Sequence, residues 1–410
     1  MKNRKKNAHV VYLIVVGADK LTGSLFATVQ MVYFATRVTS DPFQLVLIWT
    51  VFQISVLLFE IPTGVIADIY SRRLSVILGF LATSLGSLFV GAFQTYSMVL
   101  LGMGILGIGD ALLSGALDAW IVDEIGNERV GPVYMRGSQV AQIAILVGIP
   151  IGTALGTIAL NVPILLAGTL YLLLALFLTR AMPEHGFQPI PPEERRSWHT
   201  MFSTFKEGVQ LVRGRSVLVT ILGISAVAGL ASAGFEGLWT ANMLENVAFP
   251  AIGSFEPIVW FGGINAAVSI MSLIGIELFR RKVDVGSQTA IVRTLMVTAS
   301  LSTMCMIVFG LVGDFWLAAV TYSLSYSLRI ASSPLFKAWI NRNVESSVRA
   351  TVLSVDNQIN YLGRIAGGPI IGAIGSATSL QAALVAAGLI RVPVTVFLAR
   401  VVLQATERSE

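Results

Sequence analysis

Apolar residues in this chain run nearly unbroken for about 20 positions at a time, and short polar breaks separate the runs. A helix crossing the ~30 Å hydrocarbon core of a bilayer needs about 20 such residues, whereas a barrel strand alternates at period two. The pattern predicts an all-α membrane protein with twelve transmembrane helices, near residues 10–35, 44–67, 75–93, 97–121, 138–160, 162–181, 216–241, 257–279, 288–312, 316–339, 351–375 and 379–402. One polar stretch is long. Residues 182–215 divide the chain into a first six-helix bundle, 1–181, and a second, 216–410. In that linker Pro189, Pro191 and Pro192 precede Glu193–Arg196. Met201, Phe202, Phe205, Val209, Leu211 and Val212 then recur at helical spacing, which predicts an amphipathic helix on the membrane surface.

Composition agrees with a bilayer protein: 55% of the 410 residues are apolar and 12% charged, against roughly 25% charged in soluble domains. The net charge of +5 is placed unevenly. Alternate loops hold Arg72 and Arg73, Arg129 and Arg136, Arg195 and Arg196, Arg280 to Lys282, and Arg342 and Arg349, while the others hold essentially Arg37. By the positive-inside rule both termini are cytoplasmic in an inner cell membrane, so the positive charge needs no nucleic-acid partner. The basic start, Met1 to Lys6, precedes an apolar stretch that carries Asp19 and Lys20 and lacks a small-residue cleavage site. It is expected to remain as the first span. The one cysteine, Cys305, lies in an apolar run, and no cysteine–histidine cluster implies a metal or cofactor.

The chain also repeats itself. Asp118-Ala119-Trp120-Ile121 aligns with Lys337-Ala338-Trp339-Ile340 at an offset of 219 residues (337 minus 118). Gln139, Gly148, Pro150 and Gly156 match Gln358, Gly367, Pro369 and Gly375 at the same offset. A parallel six-plus-six repeat implies two bundles with a ligand site near mid-membrane, the architecture of a secondary transporter.

After the second span stands Gly64-Val65-Ile66-Ala67-Asp68-Ile69-Tyr70-Ser71-Arg72-Arg73, which resembles the loop signature of the major facilitator superfamily, with Ser71 at its usual second glycine. The resemblance covers the whole length and implies the major facilitator fold, action as a monomer, and a cytoplasmic latch. Gly64, Asp68, Arg72 and Arg73 would form that latch, Asp68 against the start of span eleven near Ser346 and Ser347, and an arginine against Asp118 or Asp123. The arginines also fit a purely topological role. Gly148-Ile149-Pro150-Ile151-Gly152 and Gly367-Gly368-Pro369 resemble the glycine–proline signature of the superfamily's drug/proton antiporters. Close packing of spans explains the same residues.

Charges in mid-bilayer cost at least ~2.5 kcal/mol, so they mark function or pairing. Asp19, Asp110 and Glu236 are the proton-coupling candidates. The offset relates Asp110 to Arg329 and Asp118 to Lys337, with opposite signs. In major facilitators spans four and ten line the cavity, which makes Asp110–Arg329 a candidate mid-membrane pair and Asp118–Lys337 a candidate gate. Pairing of each ion within its own half is the alternative. Asp110, Ser114 and Asp118 share a helical face by spacing, as do Arg329, Ser333 and Lys337. Lys20 points about 100° from Asp19 and is free to meet another span. Gln30, Tyr33, Trp239, Tyr322 and Tyr326 complete a candidate aromatic substrate pocket. Glu60, Arg293, Arg364 and Arg391 are embedded without an assigned role.

The function expected is proton-coupled efflux of a lipophilic or cationic compound by alternating access. Proton-coupled uptake of an anionic metabolite, with Arg329 and Lys337 as binding groups, and lysolipid movement are the alternatives. No Walker, GxSxG or HExxH motif is present, which argues against an ATP-driven pump or an enzyme.

Overall fold

The computed structural model describes residues 2–189, 216–252, 255–345 and 349–407. The predicted surface helix at 201–212 and the cap residues Ser346 and Ser347 lie outside the described residues. Helices account for nearly all of what is described: α1 Lys2–Tyr33, α2 Pro42–Val65, α3 Arg72–Ala92, α4 Tyr96–Leu113, α5 Ala116–Ile125, α6 Asn127–Ile158, α7 Asn161–Ala181, α8 Ser216–Asn246, α9 Pro257–Lys282, α10 Gln288–Leu311, α11 Phe315–Asn343, α12 Arg349–Ala377 and α13 Leu380–Glu407. The apolar runs set their lengths, and local chemistry sets several ends. Ser71, Ser287 and Asp314 accept backbone N–H bonds at the starts of α3, α10 and α11, and Pro257 opens α9. Helices α1 and α2 each finish in a π-helical turn, Phe34–Val38 and Ile66–Tyr70.

Thirteen helices make twelve spans, because α4 and α5 form one span interrupted at Ser114-Gly115. Gly115 there has φ +71°, a left-handed conformation open to glycine at little cost. Ten spans are apolar enough to be recognised as membrane helices by composition alone. The other two, α11 and α12, carry Arg329 and Lys337, and Asp356 and Arg364. Span five begins at Asn127, earlier than the apolar pattern predicts, because polar turns holding Glu128, Arg129 and Arg136 precede the apolar run in the same helix.

The chain folds as two compact units. The first is residues 1–39, 51–201 and 258–262; the second is residues 40–50, 202–257 and 263–410. The 219-residue register recurs in the element ends: Ala92 and Leu311, Ile158 and Ala377 close helices, while Tyr96 and Phe315, Asn161 and Leu380 open them. Packing repeats as well. In the first unit α1 lies on α6 and α7, and α3 on α4 and α7; in the second α8 lies on α12 and α13, and α10 on α11 and α13.

Lipid tails are as apolar as leucine, so burial alone does not join membrane helices; close contact through small residues does. At Gly148 of α6 an added Cβ would meet Leu21 O and Ser24 Oγ of α1, and at Gly367 of α12 it would meet Leu230 O and Cα of α8. The glycine–proline segments therefore serve as packing surfaces. Trp120 and Trp339, the tryptophans of the repeat, are 1% and 0% exposed and anchor equivalent apolar cores of their units.

Candidate functional site

A charged cavity lies in each unit. That of the first unit, about 460 Å³, is lined by Tyr12, Asp19, Lys20, Asp110, Ser114 and Asp118 among others. Three acids against one base give it a formal charge of −2. Lys20 Nζ lies 2.9 Å from Asp19 Oδ2, so the adjacent residues pair after all. Their Cα directions diverge, but the four-carbon lysine stem spans the gap. Tyr171 donates to Asp19 Oδ1 at 3.3 Å and Tyr12 to Asp118 Oδ1 at 3.4 Å. Asp110 and Asp118 line the same cavity from two helices, since the break at Gly115 ends the continuous face that their spacing predicts.

The cavity of the second unit, about 400 Å³, has the opposite sign. Arg329, Lys337, Arg364 and Arg391 stand against Glu236 and Asp356, four bases and two acids, for a formal charge of +2. At its centre Arg364 grips Glu236 bidentately, Nη1 to Oε2 at 3.0 Å and Nη2 to Oε1 at 3.2 Å. Arg329 Nη2 reaches Oε1 at 2.5 Å and Ser232 Oγ at 2.8 Å. Arg329 thus meets an acid of its own unit. These groups converge because α8, α11 and α12 each turn a charged mid-span position to one space, and Arg391 is added from α13. Ser225 donates to Asp356 at 2.5 Å. Arg364, Arg391 and Asp356 had no role assigned from the sequence. The signal that marks the arginines was their position inside apolar spans.

The aromatic residues are distributed differently. Arg329 lies over the Tyr326 ring, 5.4 Å from its centroid, and Tyr326 lines the cavity. Trp239 stacks on Tyr322 at 3.9 Å, and Tyr322 packs against Phe235 and Phe309 in the protein core. Tyr33 is fully buried with its hydroxyl on Val90 O at 2.8 Å, and Gln30 is 8% exposed. Neither cavity includes Gln30, Tyr33, Trp239 or Tyr322.

At the signature loop Arg72 forms an ion pair with Asp123 and donates to Ala119 O at 2.7 Å. Ser71 caps α3 and donates to Glu184 Oε2 at 2.6 Å, while the Arg73 N–H donates to Glu184 Oε1 at 2.9 Å. Gly64 lies in the last turn of α2 and Asp68 in the π-turn that follows.

Twelve spans in two repeated halves, with a charged cavity in each compact unit, form an architecture suited to a membrane transporter. The sequence matches the Major Facilitator Superfamily over residues 10–368, and the chain belongs to that family. It is 23% identical over 366 residues to an uncharacterized MFS-type transporter, YxaM, of Bacillus subtilis (strain 168), 88% of each chain being covered. In fold it is similar to the nucleoside transporter NupG, with a TM-score of 0.72, 14% identity, and 97% and 98% of the two chains covered. It is also similar to a POT family transporter in complex with 5-aminolevulinic acid, with a TM-score of 0.72, 13% identity, and 97% and 96% covered. At these identities the likeness concerns the fold.

Proposed function

We propose that this chain is a proton-coupled secondary transporter of a small polar solute, working by alternating access as a monomer in the inner membrane with both termini cytoplasmic. The observation that carries the reading is the ionic centre of the second unit, Glu236 held between Arg329 and Arg364. Mid-membrane ions are costly and are retained where they bind or relay charge. A proton on Glu236 would release two guanidiniums from their carboxylate, and the freed positive charge would favour solute entry, which links the two events. Asp19 and Asp110, in an acidic cavity, are further proton carriers in this reading. Arg72 with Asp123 is the proposed latch at the signature loop, and Lys337 and Asp118 are gating candidates at their cavities.

A second reading, efflux of a cationic or lipophilic compound, draws on the −2 charge of the first cavity. The packed Trp239–Tyr322 stack gives it less support than an open aromatic pocket would. The test is proton movement in proteoliposomes containing a trapped pH dye, as amino acids, short peptides, nucleosides, carboxylates and fluorescent lipophilic cations are offered in turn. We expect a polar solute to move protons in the wild type and not in Glu236→Gln. A response to lipophilic cations alone would move the conclusion to the efflux reading. Solute-driven proton movement unchanged in Glu236→Gln, Asp19→Asn and Asp110→Asn alike would refute carboxylate coupling.

A further inference from the structure

We infer that the second unit's cavity holds an oxyanion seat, formed by Arg391 and the unused edge of Arg329, that takes a carboxylate or phosphate group. The inference rests on the transport reading and names the chemistry of its solute. Arg391 is 8% exposed and lines the cavity. Its Nε is enclosed without an acceptor, and among the described residues Arg391 has no hydrogen bond or ion pair. Arg329 Nη1, in the same cavity, is likewise enclosed without an acceptor. The acids nearby are engaged elsewhere: both Glu236 oxygens accept from Arg329 and Arg364, and Asp356 accepts from Ser225.

A guanidinium stays charged and cannot escape its position by losing a proton. Buried donors are normally satisfied, and orphans call for an explanation. The fold does not demand these groups. At the 219-residue register the first half carries Asp110, Ile145 and Leu172 where the second carries Arg329, Arg364 and Arg391. The arginines are thus an addition peculiar to one half. An unpartnered nitrogen on each of two guanidiniums, in a cavity of excess positive charge, matches the paired oxygens of a carboxylate or phosphate.

The experiment uses the full-length protein purified in detergent. Thermal unfolding is followed during titration with sodium succinate or sodium phosphate at constant ionic strength, against sodium chloride. We expect a saturable rise in melting temperature with at least one oxyanion. Its midpoint should move about tenfold upward in Arg391→Gln and recover in part in Arg391→Lys. Oxyanions no more effective than chloride, or equal midpoints in wild type and Arg391→Gln, would overturn the seat. A second arm uses nanodiscs of neutral lipid with and without anionic lipid. A rise produced by anionic lipid alone, blind to added succinate and phosphate, would assign the seat to a headgroup and overturn its assignment to the solute. Proton movement driven by an uncharged solute, intact in Arg391→Gln and lost in Glu236→Gln, would leave the transport reading standing while the anion seat falls.

Discussion

Removing Arg391 and removing the charge of Glu236 should shift stability in opposite directions, although both are ions in one cavity. Glu236 attracts Arg364 and Arg329 at 3.0 and 2.5 Å. At an effective dielectric near 20 a unit pair about 4 Å apart is worth about 4 kcal/mol before desolvation is subtracted. Glu236→Gln keeps the shape but leaves the two guanidiniums of Arg329 and Arg364 without their carboxylate. A net loss of about 3–5 kcal/mol is expected, as for one partner removed from a buried pair. Arg391, with no acceptor, feels the positive charge of Arg329 as well as the negative charge of Glu236. Arg391→Gln removes an uncompensated ion and should stabilise the anion-free protein by about 1–3 kcal/mol. At roughly 2 °C per kcal/mol for a chain of this size, the two variants should melt about 8–16 °C apart. The assay is built into the sequence: Cys305, the one cysteine, is 4% exposed, so a thiol-reactive dye reports its release on unfolding. If Arg391→Gln lowers the melting temperature as far as Glu236→Gln does, Arg391 is stabilised by its surroundings and the reasoning fails.

Gly367→Ala should cost about 1–3 kcal/mol or more, because the new Cβ would press on backbone atoms of Leu230; Gly263→Ala, which meets nothing within 4 Å, is its neutral control in the same melting assay. Gly115→Ala should cost about 1 kcal/mol through its positive φ alone, since no neighbour would touch the methyl, and Gly115→Asn should lose less; equal melting of all three proteins would refute the strain argument. Arg72→Ala and Asp123→Ala should each destabilise the loop, and the double variant should fall short of their sum by about 1 kcal/mol if the ion pair is the cause; strictly additive losses would deny that coupling.

The architecture was legible because bilayer thickness converts directly into sequence. A run of about 20 apolar residues has one stable answer in lipid, and the 219-residue register returned in the ends of four helix pairs. Legibility failed where a local exception carried no hydropathy signal. The break at Ser114-Gly115 lies inside an apolar run rich in glycine, and only the backbone angle distinguishes this glycine from those that pack a helix. Span five begins early for a related reason: Glu128, Arg129 and Arg136 are helical although no lipid contact requires them to be apolar.

The charged residues were all visible in the sequence, and Asp123 was among the partners expected for a loop arginine, yet the partners of the charges inside the spans were not, and the reason is geometric. An offset between repeats identifies equivalent positions, whereas partners are set by which helices adjoin within a unit. Equivalence paired Asp110 with Arg329, but adjacency of α8, α11 and α12 gives Arg329 to Glu236 and leaves Asp110 beside Asp19 and Lys20. The equivalence still carries information of another kind. Since the folding of both halves is satisfied by one packing scheme, opposite charges at equivalent positions cannot be a requirement of that scheme. Asp110 against Arg329, Leu172 against Arg391 and Ile145 against Arg364 are therefore not set by the shared packing scheme, and the positions where a repeat departs from itself are the ones to mutate first.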